Sequence, residues 1–250
     1  MRKWRALATI VVAMLAAAPV AVARDLTVGV EAIDYLPAYG LRNGEFIGAA
    51  REILDAFAAA KGHRLSYRPL PVKRLLAELV HGGIDLKFPD SPDWQPALRQ
   101  GSALAYSQPV IAYIDGTMVR AKAAGAGPAW VRSLGTVAGF TPLAWNDRVK
   151  AGAVELKENP SFEQLLRQVQ TGRIDGAYVN VAVALHALEG ALGMPGELVF
   201  DRSLPHVAGT YRLSSGTAPE IIAEFDDWLG HNPKLVADIL VRTAAEKGVR

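Results

Sequence analysis

The sequence predicts an α/β fold, on three observations. Segments with apolar residues at helical spacing alternate with short β-rich runs along the chain. One helix–glycine–strand unit occurs twice, ninety residues apart. In each copy the strand ends in polar residues, where open α/β sheets place their ligand crevice. Two such units facing each other would make a cleft.

The first copy is Leu75–Trp94, LLAELVHGGIDLKFPDSPDW. Leu75, Leu76 and Leu79 form one apolar helix face, and Gly82-Gly83 ends the helix because glycine takes the left-handed conformation at no steric cost. Ile84–Phe88 is expected as a strand, and Pro89-Asp90-Ser91-Pro92-Asp93 as a turn. The second copy is Leu165–Asn180, LLRQVQTGRIDGAYVN. Leu75, Leu76, Gly82, Ile84 and Asp85 match Leu165, Leu166, Gly172, Ile174 and Asp175. The twin aspartates read as structural.

Residues 1–23 read as a cleavable secretory leader. Arg2, Lys3 and Arg5 precede the apolar run Ala6–Ala18, and Ala21-Val22-Ala23 is an A-x-A site. The run falls short of the ~20 residues that a spanning helix needs. Removing the leader takes the formal charge from +2 to −1, so nothing supports nucleic-acid binding. There are no cysteines. An exported chain of this length must then rely on its core rather than on disulfides. A soluble periplasmic protein, without membrane insertion of the mature chain and monomeric, is expected.

The remaining elements follow in order. Asp25–Val30 alternates as a first strand, and Asn43-Gly44 signals a hairpin. Gly48 opens a helix to about Ala60, with Ile53, Leu54 and Phe57 inward. Leu65–Leu70 is a strand, and Pro71 starts the helix of the first repeat. Val110–Arg120 is a long β-rich run able to cross between units, and Ala121–Ala129 a small-residue surface loop. Strands are expected within 134–140, at 154–157, 174–179, 198–200 and 207–213, and helices at 160–170, 181–189, 219–229 and 233–247. Thr141-Pro142 looks like an N-cap with proline at N1, so Gly139–Thr141 could offer free N–H groups to an anion. The last helices bring no new sheet and are expected to pack back on the first unit. This gives one lobe of 24–111 plus 200–250 and another of 112–199.

Several residues are candidates for a site. Trp94 beside Asp90 and Asp93 offers a face for a cation, or is a packing tryptophan with turn aspartates. Lys87 breaks an apolar strand, so it either lines the cleft or sits on an exposed edge. Tyr35 and Tyr39, in the first strand-to-helix loop, could line the cleft or pack the loop. Asn180 ends the second repeat strand and suits a neutral polar group. The five histidines are scattered without metal-ligand spacing, and no nucleophile elbow or P-loop is present.

Taken together, Leu26–Val30, the Asn43–Gly48 hairpin, Gly82–Asp85, Ser107-Gln108-Pro109 and Gly172–Asp175 resemble the solute-binding proteins of polar amino-acid ABC importers, with the two-lobed periplasmic-binding-protein type II fold. The resemblance spans nearly the whole mature chain. It implies a mixed sheet flanked by helices in each lobe, a small solute between the lobes, no cofactor, and an ABC permease or a membrane sensor as partner. The family's T-P-E-R matches Ser91-Pro92-Asp93-Trp94 here, so Trp94 stands at the carboxylate-clamping arginine. The acidic residue that holds an α-amino group matches Asn180. Tryptophan cannot replace a bidentate guanidinium. Pro71–Arg74 resembles the P-x-K-R of divergent members, so Arg74 could bring a substitute charge. The expected function is capture of a small polar solute other than a standard α-amino acid. The alternatives are a dehydratase-like enzyme on the same scaffold, with Lys87, Asp90, Asp93 and Arg74 as its acid and base, or an accessory sensing protein.

Overall fold

The structure, a computed structural model, describes residues 23–249. The expected leader, apart from Ala23, lies outside the described residues. In the first half, β1 is Asp25–Glu31, β2 Gly40–Arg42, β3 Glu45–Ile47, α1 Ala49–Lys61, β4 Arg64–Leu70, α2 Val72–Val80, β5 Leu86–Asp90, α3 Pro96–Arg99 and β6 Ala105–Tyr106. The long β7 is Ile111–Arg120. Then come β8 Ser133–Val137, α4 Asn146–Lys150, β9 Glu155–Asn159, α5 Phe162–Gln170, β10 Gly176–Asn180, α6 Val181–Glu189 and β11 Leu198–Phe200. The chain closes with β12 Val207–Ser215, α7 Pro219–His231 and α8 Pro233–Thr243. Among the described residues no helix is long and apolar enough to cross a membrane.

The strands run β4-β1-β5-β12-β7-β10-β8-β9 in one mixed, curled sheet, with β11 beside β7 and β6 beside β12. β1 is parallel to β4 and β5, and β8 is parallel to β9 and β10. β12 joins the halves. Its Val207–Tyr211 pairs antiparallel with β7, and its Arg212–Ser215 with β5 and β6. Helices cover both faces, so the parallel strands read as apolar runs. Ile53, Leu54 and Phe57 of α1 pack with Phe225 and Trp228 of α7 over one face of β1. Leu75, Leu76 and Leu79 of α2 pack with Ile84 on the other.

The repeat is a repeated packing joint. A Cβ at Gly29 would lie 2.3 Å from Ile84 Cδ1 and 2.8 Å from Leu75 Cδ1. One at Gly135 would lie 2.3 Å from Leu165 Cδ1 and 2.6 Å from Ile174 Cδ1. In each half a strand glycine lets the helix leucine and the strand-entry isoleucine close on the sheet. The twin aspartates tie the same joint. Asp85 Oδ2 accepts from Thr27 N at 2.8 Å, and Asp175 Oδ2 from Arg132 N and Ser133 N, both at 2.9 Å.

Two expectations are corrected. Pro89 and Asp90 do not turn; β5 runs through them. The ladder to β12 pairs Lys87 with Ser214 and Asp90 with Arg212, three steps against two, so Pro89 falls in a bulge that needs no N–H from it. Thr141-Pro142 does not cap an α-helix either. Leu143–Trp145 is a 3₁₀ turn with Pro142 in front, and the five residues of α4 start beyond it. Trp145 is fully buried, and its indole donates to Thr117 Oγ1 at 2.9 Å. Burying that ring decides the local geometry over the sequence signal.

Candidate functional site

The site lies where β1, β5, β7 and β10 bring polar residues together. Its first part is an ionic knot around Asp90, the last residue of β5, which is wholly buried. Oδ1 accepts from Lys87 Nζ at 2.7 Å, Arg99 Nη2 at 2.7 Å and Ser91 N at 2.9 Å. Oδ2 accepts from Ser214 Oγ at 2.6 Å and Arg99 Nη1 at 3.2 Å. Burial alone would raise the Asp90 carboxyl. The Lys87 charge and the bidentate Arg99 outweigh it and hold the pKa below the ordinary value. Lys87 also donates to Pro89 O at 2.8 Å, with Nζ 5.5 Å from the Trp94 ring centre. The buried Lys87 and the part-buried Arg99 therefore both face the protein's own carboxylate.

The second part is a wall of rings. Tyr113 and Tyr211 stack at 4.5 Å, and Trp94 packs at 5.9 Å from Tyr211 and 6.3 Å from Tyr113. Tyr39 lies edge-on to Tyr211 at 6.1 Å and 5.1 Å from Tyr35. Tyr35 reaches out of the β1 loop and stacks on Phe140 at 5.6 Å, with Phe162 edge-on at 5.7 Å. The first strand-to-helix loop thus touches the segments that follow β8 and β9, across the sheet's midline.

The third part is a pair of carboxyls. Glu31, at the end of β1, is buried and accepts the Tyr39 hydroxyl. Burial raises its pKa against the opposing Lys87 charge. Asp115, in β7, pairs in register with Asn180 and with Val207. Its Oδ1 is cut off from solvent and has no hydrogen-bond partner among the described residues. Burial, and then the charge of Glu31, push Asp115 up to about 7.

Seven of the sequence candidates gather here: Tyr35, Tyr39, Lys87, Asp90, Ser91, Trp94 and Asn180. Asn180 has little capacity left for a ligand. Its Oδ1 caps α6 by accepting from Val183 N at 3.1 Å, and its Nδ2 donates to Tyr211 Oη at 3.0 Å. Arg74 is exposed and pairs along its own helix with Glu78 at 3.4 Å. Thr141 is exposed, and its carbonyl accepts from Leu143 N at 2.9 Å. Neither belongs to the cluster. Arg99, Glu31 and Asp115 were missed. Two of them leave a faint signal: Glu31 is the charge that closes an alternating strand, and Asp115 is the lone acid in the run Val110–Val119.

A cavity of about 370 Å³ adjoins Tyr35, lined by Asp34, Phe162, Glu163, Val183 and His186 among others. It is in the size range of small-molecule sites, roughly 300–1,000 Å³. A larger apolar cavity of about 690 Å³, between α7, α8 and the start of β7, shares no residue with the cluster.

This architecture, with polar residues gathered at the strand ends of two half-sheets, is the periplasmic-binding-protein type II fold. Solved structures agree. An amino acid ABC transporter substrate-binding protein from Streptococcus pneumoniae, bound to L-arginine, superposes with a TM-score of 0.68 at 16% identity, covering 88% of this chain and 94% of its own. The arginine-, lysine-, histidine-binding protein ArtJ of Geobacillus stearothermophilus gives 0.69 at 16%, covering 88% and 94%. A histidine kinase sensor domain with similarity to periplasmic binding proteins gives 0.68 at 19%, covering 88% and 96%. No protein-family model matches the sequence, and no curated protein does.

Proposed function

We propose that this chain is an exported solute-binding protein. It captures a small polar ligand between two lobes, residues 24–111 with 200–250 and residues 112–199. One observation carries the reading: Tyr35 spans from the β1 loop to Phe140 and Phe162 beside a cluster of buried charge. Aromatic contact across the gap is what a closed two-lobed binder needs in order to hide its ligand. The leader at 1–23 supports a periplasmic location, and the likeness to ABC transporter binding proteins supports delivery to a permease. The likeness to a kinase sensor domain supports a membrane sensor as the second reading of the partner.

The knot also argues against a standard α-amino acid. Such a ligand brings a carboxylate, and burying one requires an available cation. Lys87 and Arg99 are both committed to Asp90. The same commitment disfavours catalysis by a Lys87–Asp90 acid–base pair, since an acid and a base need separated pKa values and room to move a proton.

The test is a thermal-shift screen of the mature protein over amino acids, amines, sugars and organic acids. A ligand at a hundred times its Kd adds about 2.7 kcal/mol to the folded state. At about 2–4 °C per kcal/mol for a chain of this size, the melting point should rise about 5–11 °C. Conversion of the bound solute to a product, or no shift with any class, would overturn the reading.

A further inference from the structure

We propose that the ligand is an organic cation without a carboxylate, held at Asp115 with its charge against the tyrosine and tryptophan rings. This rests on the solute-binding reading above and names the class of solute. Around the strand ends, three carboxyls (Glu31, Asp90 and Asp115) stand against two cations, Lys87 and Arg99. Asp90 takes both cations. Glu31 has the Tyr39 hydroxyl. Asp115 is left with a buried oxygen that no donor among the described residues reaches. A buried acceptor without a partner is costly, and more so when it is charged. A cation placed there removes that cost and completes the charge balance.

The surroundings suit the charge. The groups that act electrostatically on Asp115 or respond to it are Glu31 from β1, Tyr35 from the loop after it, Tyr113 beside it on β7, Tyr178 from β10 and Tyr211 from β12. The tyrosines are all raised above their ordinary value, so they stay neutral beside the carboxyl. Desolvated rings beside a carboxylate form a site for an ammonium or guanidinium group. A zwitterion would have to bury its carboxylate among the same acids, where Lys87 and Arg99 are already held by Asp90.

The experiment is titration calorimetry of the mature protein with matched pairs that differ by a carboxylate. These are choline with glycine betaine, n-butylamine with 4-aminobutyrate, and butylguanidine with 4-guanidinobutyrate. At least one cation should bind, at least tenfold more tightly than its carboxylated partner. Asp115→Asn should weaken that binding at least tenfold. If the variant does not fold, the wild-type pH profile decides. Asp115 must be ionised to hold the cation, and its free-state value is about 7. Affinity should therefore rise about tenfold from pH 6 to pH 8, with Glu31 acting in the same direction. Equal or tighter binding of the carboxylated partners, or a flat pH profile, would overturn the inference. Binding only of neutral or anionic solutes would refute it while leaving the solute-binding reading intact. Binding of nothing in this panel or in the thermal-shift screen would remove both.

Discussion

Removing the Asp90 carboxylate should destabilise the protein far more than an ordinary buried polar substitution. Asp90→Ala leaves Lys87 and Arg99 facing each other, with Ser214 Oγ and Ser91 N also unpaired. Removing one partner of a buried ion pair costs about 3–5 kcal/mol, because the remaining charge stays buried without compensation. That corresponds to a melting point lower by about 6–20 °C. Circular dichroism melts and urea titration should agree, with an unchanged urea m-value if the native state keeps its compactness. The pH dependence has a definite sign. The folded-state pKa of Asp90 lies below the ordinary 3.8, so its stabilisation is present above that value and is lost as pH falls through the lower folded value. The gap between wild type and Asp90→Ala should therefore be constant near neutrality and narrow only below about pH 4. A loss under 1 kcal/mol at pH 7, or a gap that narrows already at pH 6, would refute the account of the knot.

Two further outcomes test other parts of the structure. Gly29→Ala and Gly135→Ala should each cost about 1–3 kcal/mol by overpacking, and to a similar extent, because each new methyl meets a leucine and an isoleucine in the same joint. Ile84→Val should partly restore Gly29→Ala but not Gly135→Ala, as a double-mutant cycle would show. Tyr35→Ala should weaken binding of the identified solute at least tenfold, by removing the stack on Phe140 and Phe162. Unchanged affinity by calorimetry would place closure elsewhere.

Much of the fold was legible because it is written locally. Helix faces, glycine stops and the Asn43-Gly44 hairpin rest on neighbours in sequence, and α6 and β11 fall at the expected residues. The twin joint was legible through its repetition, including the structural role of Asp85 and Asp175. The site was legible only in part. Lys87, Asp90 and Trp94 lie in one stretch, so their grouping could be read. Arg99 reaches Asp90 from a short helix five residues beyond Trp94, where no spacing rule points to it. Asp115 and Glu31 come within electrostatic reach only because β1 and β7 lie in one sheet, with β5 and β12 between them, and that arrangement is set by packing rather than by any local signal. Pro89 misled for the related reason that a bulge against β12 is a property of two strands.

The shared strand β12 has a consequence for how such a molecule can be remade. Ile111 and Tyr211 are register partners. The chain therefore departs for residues 112–210 and comes back through two adjacent positions of a single ladder. A stretch with neighbouring ends can be exchanged, lost or acquired as one cassette, since a tight turn suffices to rejoin the flanks once the contacts that Tyr35, Trp94 and Tyr211 make across the junction are replaced. The residues on the near side of that junction, Glu31, Lys87, Asp90, Trp94 and Arg99, would travel unchanged through such an exchange. Asp115, Asn180 and the Tyr113 ring would not, so a new cassette would meet a wall inherited only in part.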